Sequence, residues 1–75
     1  MKIQIRCYAT LARYQPGAAD EYVLGPGTTV SDLAVQLGAD LDEVKVAFVN
    51  GKHAPIPTEL QDGDRVALFP AVGGG

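Results

Sequence analysis

Three features of this sequence have the makings of chemistry: Cys7, His53 and the run Gly73-Gly74-Gly75. Cys7 is the only cysteine, which excludes an internal disulfide and a thiolate-ligated iron–sulfur cluster. It also falls on an apolar face, so its thiol reads as a small buried hydrophobe with a raised pKa rather than a nucleophile. His53 is the sole histidine, with no cysteine beside it and carboxylates only at a distance along the chain. An exposed hairpin histidine is the expected reading, not a general base or a ligand, and no metal site is expected.

The glycine run is different. Without a Cβ, glycine lies flat in a narrow channel and takes whatever backbone angles that channel imposes. A flexible linker usually mixes in serine and leads onward, whereas this run stops on a carboxylate directly after a strand. The expectation is that the α-carboxylate of Gly75 is itself the reactive group, with Gly73 and Gly74 threading a partner's channel. Residues 71–75, fully extended, reach at most about 17 Å beyond the strand. That suffices to enter another protein's active site while the body stays outside. The chain therefore divides into a domain over residues 1–70 and a flexible tail over 71–75.

The elements that must position this tail follow from periodicity. Lys2 to Tyr8 alternates, with Ile3, Ile5 and Cys7 on one face and Lys2, Gln4, Arg6 and Tyr8 on the other. Leu11 and Tyr14 can pin a helical turn that Pro16-Gly17 closes. Glu21 to Leu24 reads as a short second strand, ended by Gly25-Pro26-Gly27. Thr29 is an N-cap, with Asp32 completing a capping box, and Val30, Leu33, Ala34 and Leu37 form an apolar stripe that stops at Gly38. Leu41 and Val44 are expected to point inward. Lys45 to Val49 reads as a third strand with Val46 and Phe48 in the core, and Asn50-Gly51 as a hairpin turn. Leu60 reads as a core plug, Asp62-Gly63-Asp64 as a turn and Arg65 to Phe69 as the last strand, ended by Pro70. The order β-β-α-β-β, with the first and last strands side by side and the helix over one face, is an α+β arrangement.

Composition limits the functions open to the chain. Its 75 residues make a single small domain, and a net charge of −3 argues against general nucleic-acid binding. No apolar run is long enough to span a bilayer, and the strand-like start is unlike a signal peptide, so a cytoplasmic protein is expected, with neither a nucleic-acid nor a membrane partner. Strand parity puts Tyr8, Ala67 and Phe69 on an exposed face that Val49 and Pro70 are expected to join, with Lys2, Arg6, Lys45 and Arg65 around it. An apolar patch with a basic rim, feeding into Val72 and the glycines, is the expected partner-binding surface.

These pieces together resemble the MoaD/ThiS-type ubiquitin-like sulfur carriers. The resemblance rests on Cys7-Tyr8-Ala9-Thr10-Leu11, Thr29-Val30-Ser31-Asp32-Leu33, Phe48-Val49-Asn50-Gly51, and Asp62-Gly63-Asp64 running through Phe69-Pro70-Ala71-Val72 into the glycines. It implies a β-grasp roll with a mixed sheet. It also implies a carrier cycle in which a ubiquitin-activating-like adenylyltransferase, using ATP and Mg²⁺, adenylates Gly75. A persulfide donor then gives a thiocarboxylate. The sulfur would be delivered at the large subunit of molybdopterin synthase or an equivalent acceptor enzyme. On this reading the chain binds no cofactor and is not catalytic alone, serving as the sulfur-donating small subunit of a sulfurtransferase. Phe69-Pro70-Ala71-Val72 and the long first loop look more like the molybdopterin branch, while Val72-Gly73-Gly74-Gly75 and Asn50-Gly51 also look like the thiamine branch. A ubiquitin-like modifier joined to lysines, or a plain interaction module, are the other readings.

Overall fold

A computed structural model of the chain describes residues 1–70. Alternation decides the first strand. Ile3 and Ile5 of β1 (Lys2–Cys7) are buried while Lys2, Gln4 and Arg6 are exposed. The other strands are β2 (Tyr22–Val23), β3 (Val46–Val49), β4 (Lys52–Ala54) and β5 (Arg65–Phe69). They form one sheet in the order β2-β1-β5-β3-β4. β1 and β5 run parallel, and every other pair is antiparallel. Parallel neighbours need a long crossover; here the crossover is everything between them, including the helix.

That helix, α1 (Val30–Gln36), is fixed at both ends by its sequence. Thr29 accepts from the Asp32 amide at 3.1 Å, and the Asp32 carboxylate accepts from the Thr29 amide at 3.1 Å. The amides of Val30 and Ser31, which have no partner within the helix, donate to the carbonyls of Thr58 and Ile56 at 2.9 and 3.0 Å. At the other end Gly38 takes φ +89°, and the amides of Gly38 and Ala39 return to the carbonyls of Val35 and Ala34, a Schellman closure. The buried stripe Val30, Leu33 and Ala34 packs over Ile3, Ile5, Val66 and Leu68. Leu60 is the expected plug, and Leu11 holds a 3-10 turn over Ala9–Tyr14 against the same core.

Three expectations need correction. In β3 the buried residue is Ala47, whereas Val46 and Phe48 lie on the opposite face. The register explains why: Ala47 is opposite Leu68 and Val49 opposite Val66, both buried, while Phe48 is opposite the outward Ala67. Leu41 is 44% exposed, because the 3-10 turn at Leu41–Glu43 turns only Val44 inward. The second strand is shorter than the pattern suggested, with Glu21 ending a 3-10 turn that carries the chain onto the sheet.

Candidate docking face and tail base

The face of the sheet away from α1 carries a row of aromatic rings. Tyr8 follows β1 in extended conformation, its amide donating to the Leu68 carbonyl at 3.0 Å, so its ring lies beside that of Phe69. The two rings stack with centroids 4.6 Å apart and planes within 3°. Phe48 meets Phe69 edge to face at 5.7 Å, and His53, directly opposite Phe48 in the β3–β4 hairpin, meets it edge to face at 5.9 Å. The small Ala67, opposite Phe48, leaves room for these rings. The row therefore crosses β1, β5, β3 and β4 in sheet order. Tyr8 and His53 are exposed, and Ala67, Phe69 and Phe48 are half-buried. Aromatic pairs of this geometry contribute roughly 0.5–1.5 kcal/mol each beyond burial.

Two residues expected here are elsewhere. Val49 packs against the core, opposite Val66, because the register turns odd-numbered residues of β3 inward. Pro70 is buried. It follows the outward Phe69, so the extended chain carries it to the helix side. Val72, Gly73, Gly74 and Gly75 lie outside the described residues. Phe48 is the functional candidate that the sequence reading missed, although the signal was present. A two-residue turn at Asn50-Gly51 pairs residue 48 with residue 53, so an exposed His53 requires an exposed Phe48.

The strand leading to the tail is held along its length. At its end the Lys45 amide donates to the Phe69 carbonyl at 3.0 Å. At its start the turns at Asn50-Gly51 and Asp62-Gly63-Asp64 interlock. Asn50 and Gly51 have φ of 55° and 80°, as a type I′ hairpin requires. The Asn50 side-chain amide donates to Asp64 at 2.9 Å and its oxygen accepts from the Arg65 amide at 2.9 Å. The buried Asp64 also accepts from the Gln61 amide at 2.8 Å. The Gly63 amide and the Asp62 carboxylate then clasp the Lys2 backbone, each at 2.8 Å.

Cys7 is on the core side, half-buried, and desolvation raises its thiol pKa. Its amide donates to Gln15 Oε1 at 2.7 Å, while Gln15 Nε2 donates to the Ile5 carbonyl at 2.8 Å, so one side-chain amide occupies the β1 edge beyond β2. Among the described residues no helix is long and apolar enough to cross a membrane.

Against known proteins, the model of the ThiS family matches residues 5–75. The chain belongs to the ThiS family. Two solved structures have the same architecture as this ThiS-family chain. SAMP1 from Haloferax volcanii is 27% identical with a TM-score of 0.68, covering 100% of both chains. A Pyrococcus furiosus protein assigned as molybdopterin converting factor, subunit 1, is 28% identical with a TM-score of 0.70, covering 96% of this chain and 99% of that one. No curated protein sequence matches. The fold is thus a ubiquitin-like β-grasp, and the chain is a sulfur carrier of the ThiS/MoaD type. Such carriers are not catalytic alone and work with activating enzymes and a large-subunit partner.

Proposed function

We propose that this ThiS-family chain carries sulfur on the carboxyl group of Gly75 for synthesis of a molybdenum or tungsten pterin cofactor. The carboxylate, ionised at neutral pH, is a poor electrophile. A partner adenylyltransferase with ATP and Mg²⁺ joins it to AMP and releases pyrophosphate. The outer sulfur of a persulfide displaces AMP to form an acyl disulfide. A second thiol of the partner attacks its donor-side sulfur, forming a partner disulfide and releasing the thiocarboxylate. The thiocarboxylate gives up its sulfur at the large subunit of a molybdopterin-synthase-type enzyme. Tyr8, Ala67, Phe69 and Phe48 are the docking contacts, and Val72, Gly73 and Gly74 thread the partner's channel as part of a tail over residues 71–75. The observation that carries this reading is the family match running to Gly75 at the end of a glycine run. The Pyrococcus furiosus likeness favours the pterin branch over thiamine synthesis. A second reading uses the same activation with a lysine amine as acceptor, giving an isopeptide bond, and the full-length likeness to SAMP1 fits it.

Removing Gly75 retracts the reactive carbon by about 3.5 Å, which is large against the tolerance of a catalytic site. The variant lacking Gly75, and one extended by Glu, are expected to fold normally and to support no pyrophosphate exchange with the activating enzyme. Intact protein from its native cell is expected to show one oxygen replaced by sulfur. Normal adenylation of an untrimmed extended form would end this reading, and high-mass conjugates without thiocarboxylate would favour the second.

A further inference from the structure

The charges of this chain are segregated. None of its nine carboxylate residues lies in any of the five strands, and all sit in helices, turns and connections. On the outer sheet face, Arg6 of β1 and Arg65 of β5 instead flank a shallow depression of about 410 Å³, whose other walls include Gln4, Tyr8, Phe48 and Ala67. The register sets Gln4 beside Arg65 and Arg6 beside Ala67, so both guanidinium groups rise from one face two positions apart. Arg65 has no ion-pair partner among the described residues. Arg6 donates to the Ile5 carbonyl at 3.0 Å and pairs with Asp20 at 2.8 Å, with side chains 51% and 74% exposed. An ion pair so exposed is weak and exchanges readily for a better one.

We propose that this depression seats a carboxylate side chain, Asp or Glu, presented by the activating enzyme beside an apolar centre that covers the Phe48–Phe69 rings. Planar guanidinium groups match a carboxylate through paired hydrogen bonds, which a partner surface dries and so strengthens. The depression opens onto the aromatic row, so whatever fills it lies on the same surface that covers the rings. That continuity favours a protein side chain over a free anion. Charge complementarity also sets the approach. A molecule of net charge −3 with a basic face is turned by an acidic partner so that this face leads. The inference rests on the proposed function, since it names the chemistry of that partner.

The test measures association of the full chain with the adenylating enzyme of its own cell, at low and high salt, for wild type, Arg6→Gln, Arg65→Gln and the double variant. Circular dichroism confirms the fold of each. Association is expected to slow about tenfold at low salt in the double variant, with the deficit fading at high salt. Arg65→Lys is expected to recover much of the association rate but not the lifetime of the complex. If wild type supports pyrophosphate exchange while both arginine variants associate at the wild-type rate with the same salt dependence, the seat is overturned and the proposed function stands. Absence of exchange with wild type overturns both. If the variants lose only weak binding of inorganic phosphate, seen by NMR titration, and dock normally, the depression takes a free anion and the proposal fails.

Discussion

Phe69 is where the proposed docking and stability meet, because its ring stacks on Tyr8, touches Phe48 and remains half exposed. Phe69→Asp gives up two aromatic pairs, a loss of about 1–3 kcal/mol. A fully buried phenylalanine would lose roughly 3–5 kcal/mol on truncation. The variant is expected to melt somewhat lower, remain folded, and bind the activating enzyme at least about tenfold more weakly. A collapsed melting transition would show that Phe69 belongs to the core. Glu43 makes a second prediction. Its carboxylate accepts from the Tyr14 hydroxyl at 2.8 Å and from Arg13, and the Tyr14 bond chiefly holds its pKa below the usual value. A depressed carboxylate stabilises the fold above its unfolded pKa, and that stabilisation is lost as pH falls through the lower folded value. Glu43→Gln is therefore expected to melt below wild type at pH 7, with the gap closing in acid. An equal gap at both pH values would mean that charge plays no part.

Among elements, the interlocked turns matter most, because Asn50 and Asp64 hold the start of β5 together. Asn50→Ala loses two side-chain hydrogen bonds and strains a positive φ, for about 2–3 kcal/mol in all. Asn50→Gly relieves the strain and is expected to recover only part of the loss. Chemical denaturation of Asn50→Ala, Asp64→Ala and the double variant should give a coupling above about 0.5 kcal/mol, and simple additivity would contradict the interlock. Both turns were legible in the sequence because Asn-Gly and Asp-Gly-Asp have few other uses. Their contact was not, since it joins side chains 14 residues apart. The capping box and the Gly38 stop were equally legible, being local. The parity of β3 was misread for a physical reason. Val46-Ala47-Phe48-Val49 is apolar throughout, so alternation within it says nothing about which side is buried. The pairing partners decide, and the hairpin register held that information. Pro70 was misplaced by continuing the patch past Phe69 without allowing the chain to alternate.

At the scale of the molecule, the packed unit is expected to need nothing beyond Pro70. A chain of residues 1–70 should keep the far-ultraviolet spectrum and melting temperature of the full protein, whereas one stopping before Arg65 should be unfolded. A large drop in melting temperature for the 1–70 chain would show that residues 71–75 take part in the fold. The contrast follows from β5, made late yet seated centrally between β1 and β3. Its position also has a consequence for synthesis. A nascent chain leaving the ribosome exposes β1 first, but β1 has no central neighbour until residues 65–69 have followed. Until then Ile3, Ile5 and the apolar stripe of α1 have no completed sheet to enclose them. Closure of the sheet is therefore expected to wait until β5 is available, so the chain should fold as one late step rather than by growth from its first strand.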